Sequence, residues 1–206
     1  MQPNIGLRFV IPKLADFRAR FPQIQLEICM EDKLLDPVRE GIDCVVRVGA
    51  LGDSPLVARP LAKLDQLTCA SPDYLAARGT PETLEEFKQH SVINYLSSTY
   101  ALAPFVFNVS GQTQNLVLPS NLAINNAEGY VACACAGLGI IQAPRYHVAD
   151  ALAAGRLREI LSEFCPAPVP VSILYPYHAQ LSSRLRVFID WLAATFSNQE
   201  PPGDDK

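Results

Sequence analysis

With 206 residues, 49% of them hydrophobic and 18% charged, the chain can bury a sizeable core, and this composition excludes a disordered tail or linker. The formal net charge is −4 and there is no run of lysine or arginine, so these residues by themselves make a poor nucleic-acid binder. No stretch approaches the roughly eighteen uninterrupted apolar residues of a membrane span, and no signal peptide is read at Met1-Gln2-Pro3-Asn4.

Val10, Leu14, Phe17 and Phe21 recur at helical spacing, which predicts a helix over residues 7–21 closed by Pro22. Ile24, Leu26, Ile28 and Met30 then alternate with Gln25, Glu27 and Cys29, the period of a strand. A short helix over 34–40, stopped by Gly41, and a strand over 43–48 follow. This opening α-β-α-β order favours a parallel sheet. Residues 49–55 are turn-rich and 61–70 read as one long strand. Ser71 caps a helix with Pro72 at its first position and Gly79 past its end. A helix over 80–90 and a strand over 92–95 come next. Segments 105–109 and 116–118 flank Ser110-Gly111 as a hairpin. A small-residue helix over 127–136, a strand over 139–143, a helix over 145–154 and a strand over 171–175 lead to a final helix from Ser182. That helix carries Leu185, Phe188, Ile189, Leu192 and Phe196 on one stripe. The tail, 198–206, is polar.

The expected architecture is α/β in two lobes, 1–65 with 167–206 and 66–166. The chain would cross near 63–67 and return near 167–171. Two crossings make a hinge, and a cleft between lobes is a usual ligand site.

Enzyme motifs are missing. There is no G-x-S-x-G elbow and no G-K-[ST] phosphate loop. Gly137-Leu138-Gly139 lacks the third glycine of a dinucleotide loop and follows a helix. His90, His147 and His178 are scattered, and Cys133 and Cys135 sit at alternate helical positions that point apart, a poor metal clamp. Six cysteines without a C-x-x-C pair read as reduced thiols. No cofactor, metal or catalytic residue is expected.

Glu40-Gly41-Ile42-Asp43-Cys44-Val45-Val46-Arg47-Val48-Gly49 resembles a recurrent segment of LysR-type transcription regulators. The resemblance continues through Leu56-Val57-Ala58-Arg59-Pro60-Leu61, Cys69-Ala70-Ser71-Pro72-Asp73-Tyr74-Leu75 and Gly79-Thr80-Pro81. It resumes at Ala136-Gly137-Leu138-Gly139-Ile140-Ile141, Leu152-Ala153-Ala154-Gly155-Arg156-Leu157 and Phe188-Ile189-Asp190-Trp191-Leu192. Each block is weak alone; together they keep the family's order over nearly the whole chain. The resemblance implies a sensor with the two-lobed fold of type 2 periplasmic binding proteins. A small, anionic effector would bind between its lobes and shift regulation of transcription in the cytoplasm. It implies homodimers, tetramers at full length, no membrane, and DNA contact only through an N-terminal winged helix-turn-helix absent from these residues. The family's first strand, which would precede Asn4, is also expected to be missing. An exported solute-binding protein for a small organic ligand shares the fold and is the alternative reading.

The effector would meet Asn4, Ile5, Lys33, Arg47, Tyr95, Ser97, Asn125 and Asn126. Asn4 and Ile5 are expected to precede the first helix, whose free N–H groups attract an anion; the plain alternative is an ordinary helix start. Lys33 could pair with a carboxylate, although Glu31 and Asp32 beside it repel one. Arg47 lies towards the C-terminal end of its strand, where it could instead pair with an acid. Tyr95, Ser97 and Ser98 offer hydroxyls or local turn bonds. Of Asn125 and Asn126, one is expected to cap the following helix, leaving the other for the ligand.

Overall fold

A computed structural model describes residues 1–31, 37–49, 51, 55–97, 99–177 and 182–197. It divides into two compact units, Met1–Lys63 with Val169–Lys206, and Leu64–Pro168.

In the first unit the chain turns helical at once. Pro3 takes the first helical position, where its missing N–H costs nothing, so α1 (Pro3–Ile5) begins earlier than the spacing of apolar residues predicts. A π segment, Gly6–Val10, and a 3-10 turn, Ile11–Lys13, then lead into α2 (Leu14–Arg20). Pro12 lies in the 3-10 turn and removes a ladder N–H, which makes the predicted single helix a composite. Its buried face carries Ile5, Phe9, Val10 and Phe17. These meet α8 (Ser183–Ser197): Phe17 lies 5.6 Å from Phe188, edge to face, and 4.8 Å from Trp191, while Phe9 lies 5.2 Å from Phe196. Each buried phenylalanine stabilises the unit by roughly 1.5–3 kcal/mol.

After α3 (Pro37–Glu40) come β1 (Val45–Val48) and β2 (Leu56–Leu64); β10 (Val169–Pro176) returns between them, giving the order β1-β10-β2. β1 and β10 pair antiparallel, with Val46 opposite Ile173. The parallel sheet expected from the α-β-α-β order is therefore not what β1 joins. Its partner is the returning strand, which runs the other way. Residues 24–30 keep the predicted alternation, with Ile24, Leu26, Ile28 and Met30 half-buried and Gln25, Glu27 and Cys29 exposed. They form no strand: among the described residues the backbone bonds along them are the Ile24 N–H to the Phe21 carbonyl and the Met1 amino group to the Cys29 carbonyl, not a ladder.

In the second unit β3 (Gln66–Ala70) is central to β8 (Ile141–Pro144) and β9 (Arg158–Ile160), both antiparallel to it. The predicted long strand over 61–70 is thus two, broken at Asp65, whose carbonyl accepts from the Arg145 N–H at 2.8 Å. Ser71 caps α4 (Pro72–Arg78) by accepting from the Tyr74 N–H, and Gly79 ends it at φ +86°. The next helix, α5 (Leu84–Phe87), is shorter than predicted because Thr83, not Thr80, is its cap.

β4 (Asn94–Tyr95) and β7 (Ala123–Ile124) are parallel, and β5 (Phe105–Val109) and β6 (Gln112–Leu116) form the hairpin. Ser110 at φ +51° and Gly111 at φ +81° make the two-residue turn that suits strand twist. β6 escaped prediction because it is polar and exposed along most of its length. α6 (Ala127–Cys135) and α7 (Arg145–Ala153) complete the unit, with a 3-10 turn at Ser162–Phe164. One side of the core gathers Leu67, Cys69, Ile93, Tyr130 and Ile141; another gathers Tyr74, Phe87, Phe105, Phe107 and Ile140.

Candidate functional site

The clearest polar convergence lies in the second unit, where β4 and β7 end side by side. Tyr95 pairs with Ile124, and the Leu96 N–H donates to the Ile124 carbonyl at 2.8 Å. That pairing puts the residues after β4 next to Asn125 and Asn126, which lead into α6. The C-terminal end of a parallel pair followed by a helix start is where α/β folds expose unbonded backbone N–H groups.

Each side chain has a different standing there. Asn126 is the N-cap of α6: its side-chain oxygen accepts from the Gly129 N–H at 2.8 Å, and its carbonyl accepts from the Tyr130 N–H. Asn125 is exposed and makes no side-chain hydrogen bond among the described residues. Tyr95 is half-buried, its ring 5.3 Å from Tyr130, and its hydroxyl reaches the Asn125 carbonyl at 3.5 Å. Ser97 is committed locally: its hydroxyl accepts from the N–H groups of Thr99 and Ala101 and bonds the Thr99 hydroxyl at 2.9 Å. Turn formation thus engages this hydroxyl locally, through two backbone N–H groups and the Thr99 hydroxyl. That loop holds Tyr100 at φ +60° and 73% exposed.

The remaining expected residues lie in the first unit. Asn4 and Ile5 do not precede the first helix; they are inside its first turn. Ile5 is fully buried, backbone as well as side chain, so it presents no surface to a ligand in this structure. Arg47 is half-buried in β1, opposite Ser172 of β10. Lys33 and Ser98 lie outside the described residues.

Two polar features were missed by sequence reasoning. Gln142 ties the hairpin to the central sheet: its side chain accepts from the Val106 N–H at 2.7 Å and donates to the Val106 carbonyl at 2.8 Å and to Thr68. A glutamine in an apolar strand was the available signal. The second is a polar pocket of about 510 Å³ lined by Tyr74, Arg78, Thr80, Glu86 and His90. The Tyr74 hydroxyl accepts from the Ser91 N–H at 2.9 Å and lies 3.1 Å from His90 Nδ1, and burial lowers the His90 pKa. Burial also raises the Cys69 thiol to about 12 and the Cys44 thiol to about 11, and it lowers His147 to about 4. None of the six cysteines is disulfide-bonded. Among the described residues no group of three or more His, Cys, Asp or Glu could hold a metal ion. No helix there is long and apolar enough to cross a membrane.

Amide, phenol and helix-start groups thus gather around a short parallel pair in an α/β domain. The family model described as the LysR substrate binding domain matches residues 1–197, and the chain belongs to that family. It is 38% identical over 193 residues to an uncharacterized HTH-type transcriptional regulator, YhjC, of Escherichia coli K12, covering 93% of this chain and 64% of that protein. It is 34% identical to an HTH-type transcriptional repressor of Pseudomonas aeruginosa, covering 92% and 61%. The regulatory domain of CrgA from Neisseria meningitidis superposes with a TM-score of 0.81 at 26% identity, covering 95% of each chain. The fold is thus the two-lobed, periplasmic-binding-protein-like α/β fold of LysR-type regulatory domains. The chain spans less than two thirds of the length of these curated relatives.

Proposed function

We propose that this chain is the effector-sensing part of a cytoplasmic LysR-type transcription regulator and works by binding rather than by catalysis. The observation that carries the reading is the junction of β4 and β7, which sets Tyr95 and Asn125 beside the start of α6. The N–H groups of Ala127 and Glu128, in the first turn of α6, have no intrahelical partner and suit a carboxylate. Through the family resemblance, Arg47, Asn4 and Lys33 of the first unit are also proposed as effector contacts. The relatives are transcription regulators, which does not favour the alternative of an exported solute-binding protein.

The full-length protein would dimerise, assemble to a tetramer and meet DNA through a winged helix-turn-helix outside these residues. Effector binding would favour one of two states of the sensor and so change how the DNA-reading domains are presented. Isothermal titration of the folded chain against a panel of small carboxylic acids tests the reading. The expected result is saturable binding that weakens in Asn125→Ala. No heat from any acid, with native circular dichroism, refutes the site.

A further inference from the structure

In the second unit, the turn from α4 into α5 folds back against residues 89–91. Gly79 ends α4 at φ +86°, which reverses the chain, and Thr83 then caps α5. The hollow between them is the pocket of about 510 Å³, within the usual size of a small-molecule site. Its walls are tied together. The buried Tyr74 of α4 accepts from the Ser91 N–H at 2.9 Å and donates to the Ser91 carbonyl at 3.2 Å. No residue of this pocket belongs to the junction of β4 and β7.

The lining carries both signs of charge. Arg78 closes α4, while Glu82 and Glu86 flank the start of α5. Among the described residues none of the three has an ion-pair partner. The Glu86 carboxylate is nevertheless held in place, because its Oε2 accepts from the Glu82 N–H at 2.8 Å. Arg158 of β9 reaches the Thr80 hydroxyl at 3.4 Å and brings a second cation next to the Arg78 side. His90 turns Nδ1 to the Tyr74 hydroxyl at 3.1 Å. Burial lowers the His90 pKa, with Glu86 pulling it up and Arg78 pushing it further down, so the ring lies within reach of both signs and is uncharged at neutral pH.

A simple anion drawn to Arg78 meets the Glu82 and Glu86 carboxylates. A simple cation drawn to those carboxylates meets Arg78 and Arg158. At such short range each repulsion offsets the attraction, and a molecule carrying both charges escapes the conflict. We propose that this pocket binds a small zwitterion of the amino-acid class, its carboxylate on Arg78 and the Thr80 hydroxyl and its ammonium on Glu86 and Glu82. The bonds to Arg78 and Glu86 are charge-assisted, the stronger kind of hydrogen bond. His90 Nε2, which makes no hydrogen bond among the described residues, and the Gln89 amide remain for polar groups on the rest of the molecule. Because Tyr74 and the Glu82 N–H already fix the walls and one carboxylate, little ordering is left for binding to impose.

Backbone amide NMR shifts of the whole chain test this, titrated at millimolar concentration with L-alanine, β-alanine and γ-aminobutyrate, zwitterions of increasing charge separation. Propionate and propylamine supply the single charges. The expected result is saturable shifts at Gly79, Thr80 and Ser91 with at least one zwitterion, and binding at least about tenfold weaker for both single-charge molecules. Arg78→Gln and Glu86→Gln should each weaken that zwitterion about tenfold or more. Glutamine at position 86 still offers an oxygen to the Glu82 N–H, so the local turn is kept. Asn125→Ala should leave the binding unchanged. No saturable shift at the three amides with any of the zwitterions overturns the proposal. So does equal binding of propionate or propylamine, or parental binding in either charge variant. A loss in Asn125→Ala matching that in Arg78→Gln moves the ligand to the junction of β4 and β7 and overturns it as well. If a charge variant does not fold, the single-charge molecules on the unaltered chain decide.

Discussion

Asn126 separates a structural from a ligand-binding role at the start of α6. Its side-chain oxygen accepts from the Gly129 N–H at 2.8 Å, so Asn126→Ala removes the cap and leaves that N–H to water. Loss of such a cap costs about 1 kcal/mol, which in a chain of this size lowers Tm by about 2–4 °C. Asn126→Asp keeps an acceptor in the same place and adds a negative charge at the positive end of the helix, so its Tm should match or exceed that of the parent. If the bound molecule is an anion at this helix start, the same aspartate repels it and affinity falls. Thermal unfolding by circular dichroism and titration with the best carboxylic acid, run on both variants, read the two effects separately. Asn125→Ala supplies the contrast, with Tm unchanged and affinity reduced about tenfold, equivalent to about 1.4 kcal/mol. An unaltered Tm in Asn126→Ala refutes the capping assignment. Undiminished binding in Asn126→Asp refutes an anion at α6.

Gln142→Leu keeps bulk but leaves the Val106 N–H and carbonyl without the partners they have at 2.7 and 2.8 Å, so stability should fall by about 1–3 kcal/mol in urea titration. Unchanged stability would show that water replaces the glutamine. Gly139→Ala places a Cβ 2.8 Å from the Ser91 carbonyl oxygen at φ +157°, a clash with backbone that should cost about 1–3 kcal/mol in the same assay. His147, held near pKa 4 by burial, must stay neutral in the fold. Its folded pKa lies below the unfolded value of about 6.5, so its contribution is complete above pH 6.5 and is lost as pH falls towards 4. The ceiling is about 3 kcal/mol. His147→Gln should flatten the stability profile in that window, and an identical slope in parent and variant would refute the assignment.

Features set by local chemistry were legible in the chain. Ser71, Pro72 and Gly79 bound α4 as read, because a cap, a fixed φ and a positive φ are properties of single residues. Ser110-Gly111 announced its turn for the same reason. What depended on partners was not legible. Residues 24–30 have the alternation of a strand and form none, since hydrogen bonding along them requires a neighbour. β6 has no apolar alternation to read and exists because β5 templates it. At the site, the proximity of Tyr95 to Asn125 spans thirty positions and comes only from the parallel pairing of β4 with β7. Of Asn125 and Asn126, one was expected to cap the helix, and the geometry assigns the cap to Asn126.

The nature of the attraction at this site follows from the charges around it. Neither 94–102 nor 123–130 contains lysine or arginine, and Glu128 stands in the first turn of α6. The positive potential available locally is the helix start, about half an elementary charge, and Glu128 opposes it. Under the proposed reading, an anion held here would be recognised by directed hydrogen bonds from the Asn125 amide and backbone N–H groups rather than by a full charge. Were Arg47 or Lys33 the main contact, a full opposite charge would dominate and salt would screen it. Titrations of one carboxylic acid between about 50 mM and about 0.5 M sodium chloride distinguish the two, because the screening length shrinks from about 14 Å to about 4 Å over that range. Affinity changing by less than about twofold supports recognition at the end of β4 and β7. A loss of about tenfold or more moves the principal contact to the cations of the first unit and refutes the assignment to Asn125 and Tyr95.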